Sequence, residues 1–233
     1  MSAWRVGIAV GLLYFVPGQA RAHLFHKFYE PPENQLTLDY RVVHVLLEQP
    51  DVRFEVVRSV YNGETRLRLK PGGFRRWLKR PAEPGLVWKA DYQLKRWSGS
   101  LKGEVERIDQ ARETGLAARI DDGFARRDRE AVLAAFREVF VVLLEELLGS
   151  VGRQLGDAEM MARLYPYVIG YYAVCLQAYL TIHHPSAARA THSALDGMGR
   201  AFGDPKAGMP PSPAAFQRHQ RRFLRAIKEA VQR

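Results

Sequence analysis

A regular stripe of apolar side chains between residues 129 and 153 constrains the fold of this chain more than any other feature. The apolar residues recur every three or four positions, which is the period of an α-helix with a buried side. Asp128 precedes the stripe, and aspartate is a good helix N-cap because its carboxylate accepts a backbone N–H of the first turn. We therefore predict a helix from Arg129 to about Arg153 whose buried side carries Val132, Phe136, Val139, Phe140, Leu143, Leu147 and Val151.

Residues 164–182 form an apolar stretch of 19 residues without a charged side chain. A bilayer span needs about 20 apolar residues, so a transmembrane helix is one interpretation. Pro166, Gly170 and Gln177 make the stretch only moderately apolar, and we favour a central bundle helix that is buried on most sides. Its tyrosines could line a ligand pocket, but we expect them to pack in the core with satisfied hydroxyls; they are Tyr165, Tyr167, Tyr171, Tyr172 and Tyr179.

Local signals predict further helices in the C-terminal part. Residues 104–118 form a charged helical segment, and Asp157 is placed to cap the next helix. Pro185 suits the first turn of another helix, and the pair Ser212-Pro213 is a strong start signal for a last one. Residues 104–233 therefore form a bundle of four or five helices.

The region before residue 104 is predicted to contain β-structure. Residues 51–70 alternate apolar and charged side chains about Asn62-Gly63, a dipeptide that suits a type I′ hairpin turn. Residues 86–97 show a similar alternation and are a further candidate strand. Residues 36–49 fit a buried helix or a buried strand equally well. The predicted fold is α+β, with a small β-hairpin-containing region at residues 23–103 ahead of the bundle.

The first 22 residues have the pattern of an export signal. Arg5 supplies positive charge, residues 6–16 are apolar, and Ala20-Arg21-Ala22 resembles a signal-peptidase cleavage site. A buried N-terminal strand of a cytosolic protein is the alternative. We predict a signal peptide at residues 1–22 and a periplasmic or secreted protein that begins at His23.

The chain carries a formal net charge of +10, and the positive charge is concentrated in two regions. Residues 51–104 hold 13 Lys and Arg against six Asp and Glu, and residues 203–233 hold seven against two. Such regions favour anionic partners. Tryptophans interleave with cations in the first region, a pattern that suits stacking as well as charge pairing. The candidate ligand-binding residues are Arg75, Arg76, Trp77, Lys79 and Arg80. The pattern equally suits tryptophans that pack against the helices while the cations cover the outside, and we prefer this interpretation.

Histidines supply the candidate metal ligands. After cleavage, the α-amine and imidazole of His23 could chelate copper, with His26 close by. In this one feature the chain resembles exported copper proteins and copper-dependent polysaccharide oxidases, which begin with histidine. A chance histidine is the preferred interpretation, so copper is a remote possibility. His183 and His184 form a second cluster, which the sequence explains better as a polar helix boundary.

The remaining reactive groups are interpreted structurally. Cys175 is the chain's single cysteine and lies in the apolar stretch, so we expect a small buried thiol. Glu138, Glu145 and Glu146 lack the Glu-x-x-His pairs of a di-metal bundle. We expect these three acids to form salt bridges with nearby arginines.

These observations favour an exported, non-catalytic envelope protein that binds an anionic ligand or protein partner, such as lipid head groups, through a basic surface. One alternative is a cytosolic nucleic-acid-binding protein, which is favoured if the first 22 residues are retained. Another is an exported metal-binding protein or enzyme that uses His23 or the His183/His184 cluster.

Replacement of Ala22 by Phe should block signal cleavage, because the peptidase requires a small residue there. The cell should then accumulate a precursor about 22 residues longer, which mass spectrometry of the purified protein detects. An unchanged mass and a cytoplasmic product would contradict the export hypothesis.

Overall fold

The structure is a computed structural model that describes residues 35–65, 67, 86–88, 94–96, 99–204 and 207–232. The first helices are α1 (Gln35–Leu47), α2 (Phe54–Asn62), α3 (Leu101–Arg112) and α4 (Leu116–Ala125). The long helix α5 (Arg129–Arg153) follows, and α6 (Ala158–Tyr171) continues through a π-helical turn (Tyr172–Leu176) into α7 (Gln177–His183). The last two helices are α8 (Pro185–Ala201) and α9 (Pro213–Val231).

The described part of the chain is almost entirely helical, so the predicted α+β fold is wrong. Its strands are two three-residue segments, β1 (Leu86–Trp88) and β2 (Leu94–Arg96), which pair antiparallel with Leu86 opposite Arg96. The prediction fails at residues 51–70, where helix α2 occupies the place of the first hairpin strand.

Helix α2 forms because its buried residues follow the helical period. Val57, Val60 and Tyr61 are buried and lie three and four positions apart, while Arg58 is exposed. Gly63 then ends the helix with φ of 78°, and its N–H donates to the carbonyl of Val60 over 3.0 Å. A positive φ is required both for a type I′ turn and for a helix C-cap, so the glycine signal was compatible with either structure.

Two other uncertain segments are also helical. Residues 36–49 fitted helix or strand, and α1 occupies most of them. The prediction of one helix over residues 104–118 is wrong, because α3 ends at Arg112 and both Glu113 and Gly115 take positive φ before α4 begins. The Asp109 carboxylate accepts the N–H groups of Leu116 and Ala117 at 2.9 and 2.7 Å, and these bonds hold the start of α4 against the end of α3.

Helix α5 begins and ends at the predicted residues. Asp128 Oδ1 accepts the N–H of Ala131 at 3.0 Å, and all seven side chains of the predicted stripe are buried. Other faces of the helix are covered too, since Ala135, Val141, Leu144 and Leu148 are also buried. A helix that is apolar on several faces belongs at the centre of a bundle, and α5 packs against helices on several sides.

The uncharged stretch at residues 164–182 forms the end of α6, the π-helical turn and most of α7. Its side chains at Leu164, Val168, Leu176 and Leu180 are buried, so the stretch packs on the bundle. The prediction of burial on most sides is wrong for α7, where Gln177, Ala178, Thr181 and Ile182 are exposed. No helix in the described part of the chain is long and apolar enough to cross a membrane.

The tyrosines of this stretch pack as predicted. The Tyr165 hydroxyl donates to the carbonyl of Leu195 at 2.5 Å, and the Tyr172 hydroxyl lies 2.7 Å from Thr191 Oγ1. The Tyr179 hydroxyl lies 3.2 Å from Nε2 of His184. These bonds tie the stretch to α8 and to its N-cap residue His184; the rings of Tyr171 and Tyr172 are buried, and those of Tyr165 and Tyr179 are half-buried.

Aromatic rings form the centre of the core. Tyr40 of α1 lies with its ring centroid 5.2 Å from Phe136 and 4.7 Å from Phe140. Phe140 meets Tyr171 edge to face at 5.9 Å, and Tyr61 of α2 meets Phe136 at the same separation. The first two helices therefore share the hydrophobic core of the bundle.

The acids of α5 pair with arginines, as the sequence predicts. Arg119 binds Glu138 at 2.5 Å, Arg112 binds Glu145 at 2.8 Å, and Arg107 binds Glu146 at 2.9 Å. Arg107 also binds Glu104, which is buried, and burial without such a partner would be costly. These pairs fix the outer side of α3 and α4 against α5.

Replacement of Phe140 by Ala should lower the free energy of unfolding by about 3–5 kcal/mol, because the fully buried ring leaves a cavity between Tyr40 and Tyr171. Urea denaturation followed by circular dichroism measures the loss. Ile182→Ala is the control, since this side chain is 71% exposed and should change stability little. A loss below about 1 kcal/mol for Phe140→Ala would mean that the ring is not in the core.

Candidate functional site

The pair of helices α8 and α9 carries the clearest candidate site. Gly203 takes φ of 73°, and the N–H and carbonyl groups of Asp204 and Met209 bond to each other at 3.0 and 2.9 Å. The connector thus turns the chain back on itself. Ser212 then caps α9 as predicted, because its Oγ accepts the N–H of Ala215 and Pro213 occupies the first turn. The two helices run antiparallel as a result.

A close approach between Gly197 and His219 sets the spacing of α8 and α9. A Cβ atom at Gly197 would lie 2.6 Å from Cγ of the His219 imidazole, so the ring occupies the space that the glycine leaves. Nδ1 of His219 is buried and has no hydrogen-bond partner among the described residues. Burial and then the guanidinium groups of Arg218, Arg200 and Arg222 lower its pKa, so the ring is neutral at pH 7.

Four arginines line the outer face of α9. Their spacing of three, one and three residues places them on one side of a helix. The opposite side is the buried stripe Phe216, Phe223, Ile227 and Ala230. With Arg200 of α8, which lies near His219 as well, the arginines form what we call the basic surface: Arg200, Arg218, Arg221, Arg222 and Arg225.

The arginines of the basic surface form no salt bridge within the described residues, although Glu229 lies beside Arg222 and Arg225 in the neighbouring groove. On α3 to α6, arginines are paired with carboxylates, as in Arg119–Glu138, Arg126–Asp122 and Arg163–Glu159. Within the described residues, no arginine of the basic surface has a carboxylate within salt-bridge distance, and all five are exposed. Its positive charge is therefore available to a partner.

A groove borders the basic surface at the start of α8. It has a volume of about 280 Å³ and is lined by His184, Ser186, Arg222, Arg225 and Glu229, with alanines between them. The groove therefore places the guanidinium groups of Arg222 and Arg225 and the imidazole of His184 near the carboxylate of Glu229. Such a groove suits a small anionic group better than an apolar one.

The predicted site residues fall into two groups. Arg75, Arg76, Trp77, Lys79 and Arg80 lie outside the described residues, as do His23 and His26. His183 and His184 are described, and both rings lie against the Tyr179 ring, with centroids 5.1 and 5.3 Å away.

The two neighbouring histidines line different recesses. His184 lies in the groove beside the basic surface, while His183 lines a pocket on the other side of α7. His192 meets Tyr172 edge to face and belongs to neither. In the part of the chain that the structure describes, no group of three or more His, Cys, Asp or Glu side chains is arranged to hold a metal ion.

The arginines of α9 belong to the second basic region of the sequence, whereas the candidate ligand-binding residues lie within positions 75–80. The i, i+3, i+4, i+7 spacing of these four arginines already predicts that they share one face of a helix, opposite Phe216 and Phe223. The sequence could not predict that these arginines form no salt bridge with a described carboxylate, because this depends on which helices pack beside α9.

Comparisons of the chain with protein-family models, with curated proteins and with solved structures gave no match. The function is therefore inferred from the geometry of the site.

Replacement of Gly197 by Ala should destabilise the protein by about 1–3 kcal/mol, because the new methyl group overlaps the His219 ring. The second substitution His219→Ala should recover most of this loss. Thermal denaturation of the single and double variants measures the coupling.

Gly199→Ala is the matched control in the same helix. A Cβ there meets only Tyr165 at 3.9 Å, an ordinary contact, so helix propensity should leave stability unchanged or raise it. Equal effects of the two glycine substitutions would show that His219 does not set the helix spacing.

Proposed function

We propose that this chain is a non-catalytic binding protein whose basic surface contacts a phosphate-rich membrane surface in the cell envelope. The observation that carries the proposal is the stripe of exposed arginines on α9, which form no salt bridge within the described residues. Arginine is suited to this role, since its planar guanidinium donates two parallel hydrogen bonds to phosphate oxygens. The arginines supply charge and donors but neither a nucleophile nor a base, so the proposed activity is binding.

The arrangement of α9 supports contact with an extended surface. The four arginines span residues 218–225, about two helical turns, and project from one face of a helix that is anchored through Phe216, Phe223 and Ile227. The core therefore holds the cations in place, and little conformational freedom of the backbone is lost on binding. Each arginine near an anionic membrane contributes about 1 kcal/mol, so several together give useful affinity.

The predicted compartment decides between anionic partners. Residues 1–22 have the pattern of an export signal, and an exported protein meets lipid phosphates far more often than nucleic acid. If the segment is not cleaved and the protein stays in the cytosol, the same arginines favour nucleic acid.

The charge-reversal variant Arg221→Glu/Arg225→Glu should bind anionic vesicles at least roughly 30-fold more weakly, because two favourable contacts of about 1 kcal/mol become repulsive. The measurement is co-sedimentation with phosphatidylglycerol vesicles and with neutral phosphatidylcholine vesicles, at low and at moderate salt. The wild-type protein should prefer the anionic vesicles and lose affinity as salt rises. Both substituted side chains are exposed, so the melting temperature should change little.

Arg126→Glu/Arg163→Glu is the matched control, because it makes the same change in net charge at exposed positions after α4 and on α6, outside both basic regions. This variant should keep most of the vesicle binding. Equal losses in the two variants would indicate an effect of net charge alone. Stronger binding of the wild-type protein to a DNA duplex than to vesicles would favour the nucleic-acid alternative, and no binding to either at low salt would refute a role for the basic surface.

A further inference from the structure

A second recess lies between α1, the first half of α5, and α7 with its preceding π-helical turn. It has a volume of about 510 Å³, which is within the usual size range of small-molecule sites. Residues about one turn apart line it, as with Tyr40 and His44 on α1 and Glu48 directly after that helix. These elements are not those of the basic surface, so the two sites can be tested separately.

The π-helical turn shapes one wall of the pocket. An extra residue in the turn widens the helix locally, and such turns are frequent at functional sites. Val174 and Cys175 lie in this turn, and Ala178 and Ile182 continue the same wall along α7. The wall is apolar, and Ile182 is 71% exposed at the mouth, where a bound ligand would cover it.

The inner end of the pocket is uncharged. Tyr40 and Cys175 are both buried, and Leu133 of α5 lies beside them. Burial raises the pKa of the Cys175 thiol to about 12 and raises the pKa of Tyr40, so both groups stay protonated at pH 7. This end of the pocket is neutral and lies within reach of the Arg137 charge, which also acts on Cys175 and Tyr40; its apolar surface comes from Leu133 and Val174.

Arg137 lines the pocket, and its side chain is fixed in position by burial and by the Tyr179 ring. Its side chain is only 12% exposed, and its guanidinium carbon lies 4.1 Å from the centre of the Tyr179 ring. The Tyr179 hydroxyl is in turn bonded to His184, which fixes the ring beneath the guanidinium. A stacked guanidinium keeps its N–H edge free for a carboxylate.

The present partner of Arg137 is easily displaced. Glu130 binds Arg137 at 2.5 Å, but its side chain is 69% exposed. The two residues lie about two helical turns apart on α5, whereas side chains one turn apart are the usual neighbours on a helix. An ion pair with so exposed a partner contributes little to stability. A carboxylate from outside could replace Glu130 at small cost.

We propose that this pocket binds a small organic monocarboxylic acid. The carboxylate of the ligand replaces Glu130 on Arg137, and its alkyl or aromatic body lies on the apolar wall toward Leu133, Val174 and Cys175. Arg129 lines the pocket together with Glu48, Glu130 and Arg137, and these four side chains carry no net charge, which suits one ligand carboxylate better than several. His44, which lies 3.5 Å from Glu48, and His183 complete the polar rim.

Isothermal titration calorimetry with 3-phenylpropanoate and octanoate tests the proposal, with their neutral amides as matched probes. Both acids should bind saturably at one site. Each amide should bind at least roughly tenfold more weakly, because it cannot form a charge-assisted pair with Arg137. Equal affinity of acid and amide, or no saturable binding of either acid, would overturn the proposal.

Three variants locate the site. Arg137→Met removes the charge and should weaken acid binding at least roughly tenfold without affecting the amides. Ala178→Trp fills the pocket from an exposed position and should abolish binding of both acids. Glu130→Gln removes the competing carboxylate and should tighten acid binding roughly two- to fivefold.

The controls are the equivalent changes outside the pocket. Arg163→Met and Glu159→Gln alter another arginine–glutamate pair, and Ala214→Trp places a tryptophan at an exposed alanine of α9. These should bind the acids as the wild-type protein does. If Arg137→Met does not fold, Glu130→Gln and Ala178→Trp decide the question, because both sites are exposed. Unchanged binding in those two variants would refute the pocket as the site.

Discussion

Burial of α5 on several faces is the constraint on which the rest of the structure depends. Phe136 and Phe140 bring Tyr40 of α1 and Tyr171 of α6 into one aromatic cluster, and Tyr61 of α2 joins it from another side. A helix of 25 residues that is apolar around most of its circumference cannot remain exposed, so the surrounding helices must cover it. Helices α1 and α2 therefore pack against α5 and contribute side chains to the core of the bundle.

The distribution of charge follows from that arrangement. The outward carboxylates of α5 at Glu138, Glu145 and Glu146 face α3, α4 and the end of α9, where they neutralise Arg119, Arg112, Arg107 and Lys228. The arginines from 218 to 225 lie on the other side of α9 and form no salt bridge within the described residues. The packing around α5 thereby produces the surface that we assign to an anionic partner.

The two proposed sites use arginine in different ways. On α9 the guanidinium groups are exposed and act together, so their effect is strongest at low salt. In the pocket Arg137 is nearly buried, stacked on Tyr179 and screened little by ions, so it can recognise a single carboxylate. A protein with both features would combine attachment to a surface with capture of a small acid.

Local signals in the sequence determined the positions of the main helices, because caps and apolar periodicity act within a few residues. Asp128, Asp157 and Ser212 each cap the predicted helix, and the stripe of α5 is buried as predicted. The sequence did not determine α2, since Asn62-Gly63 suits a hairpin turn and a helix end equally and only packing of Val57, Val60 and Tyr61 decides between them. The tertiary structure alone decided which arginines find carboxylates, and it separated His183 from His184 into two recesses. Salt bridges and pockets form between residues that are far apart in the chain, so a local sequence pattern does not predict which residues come together.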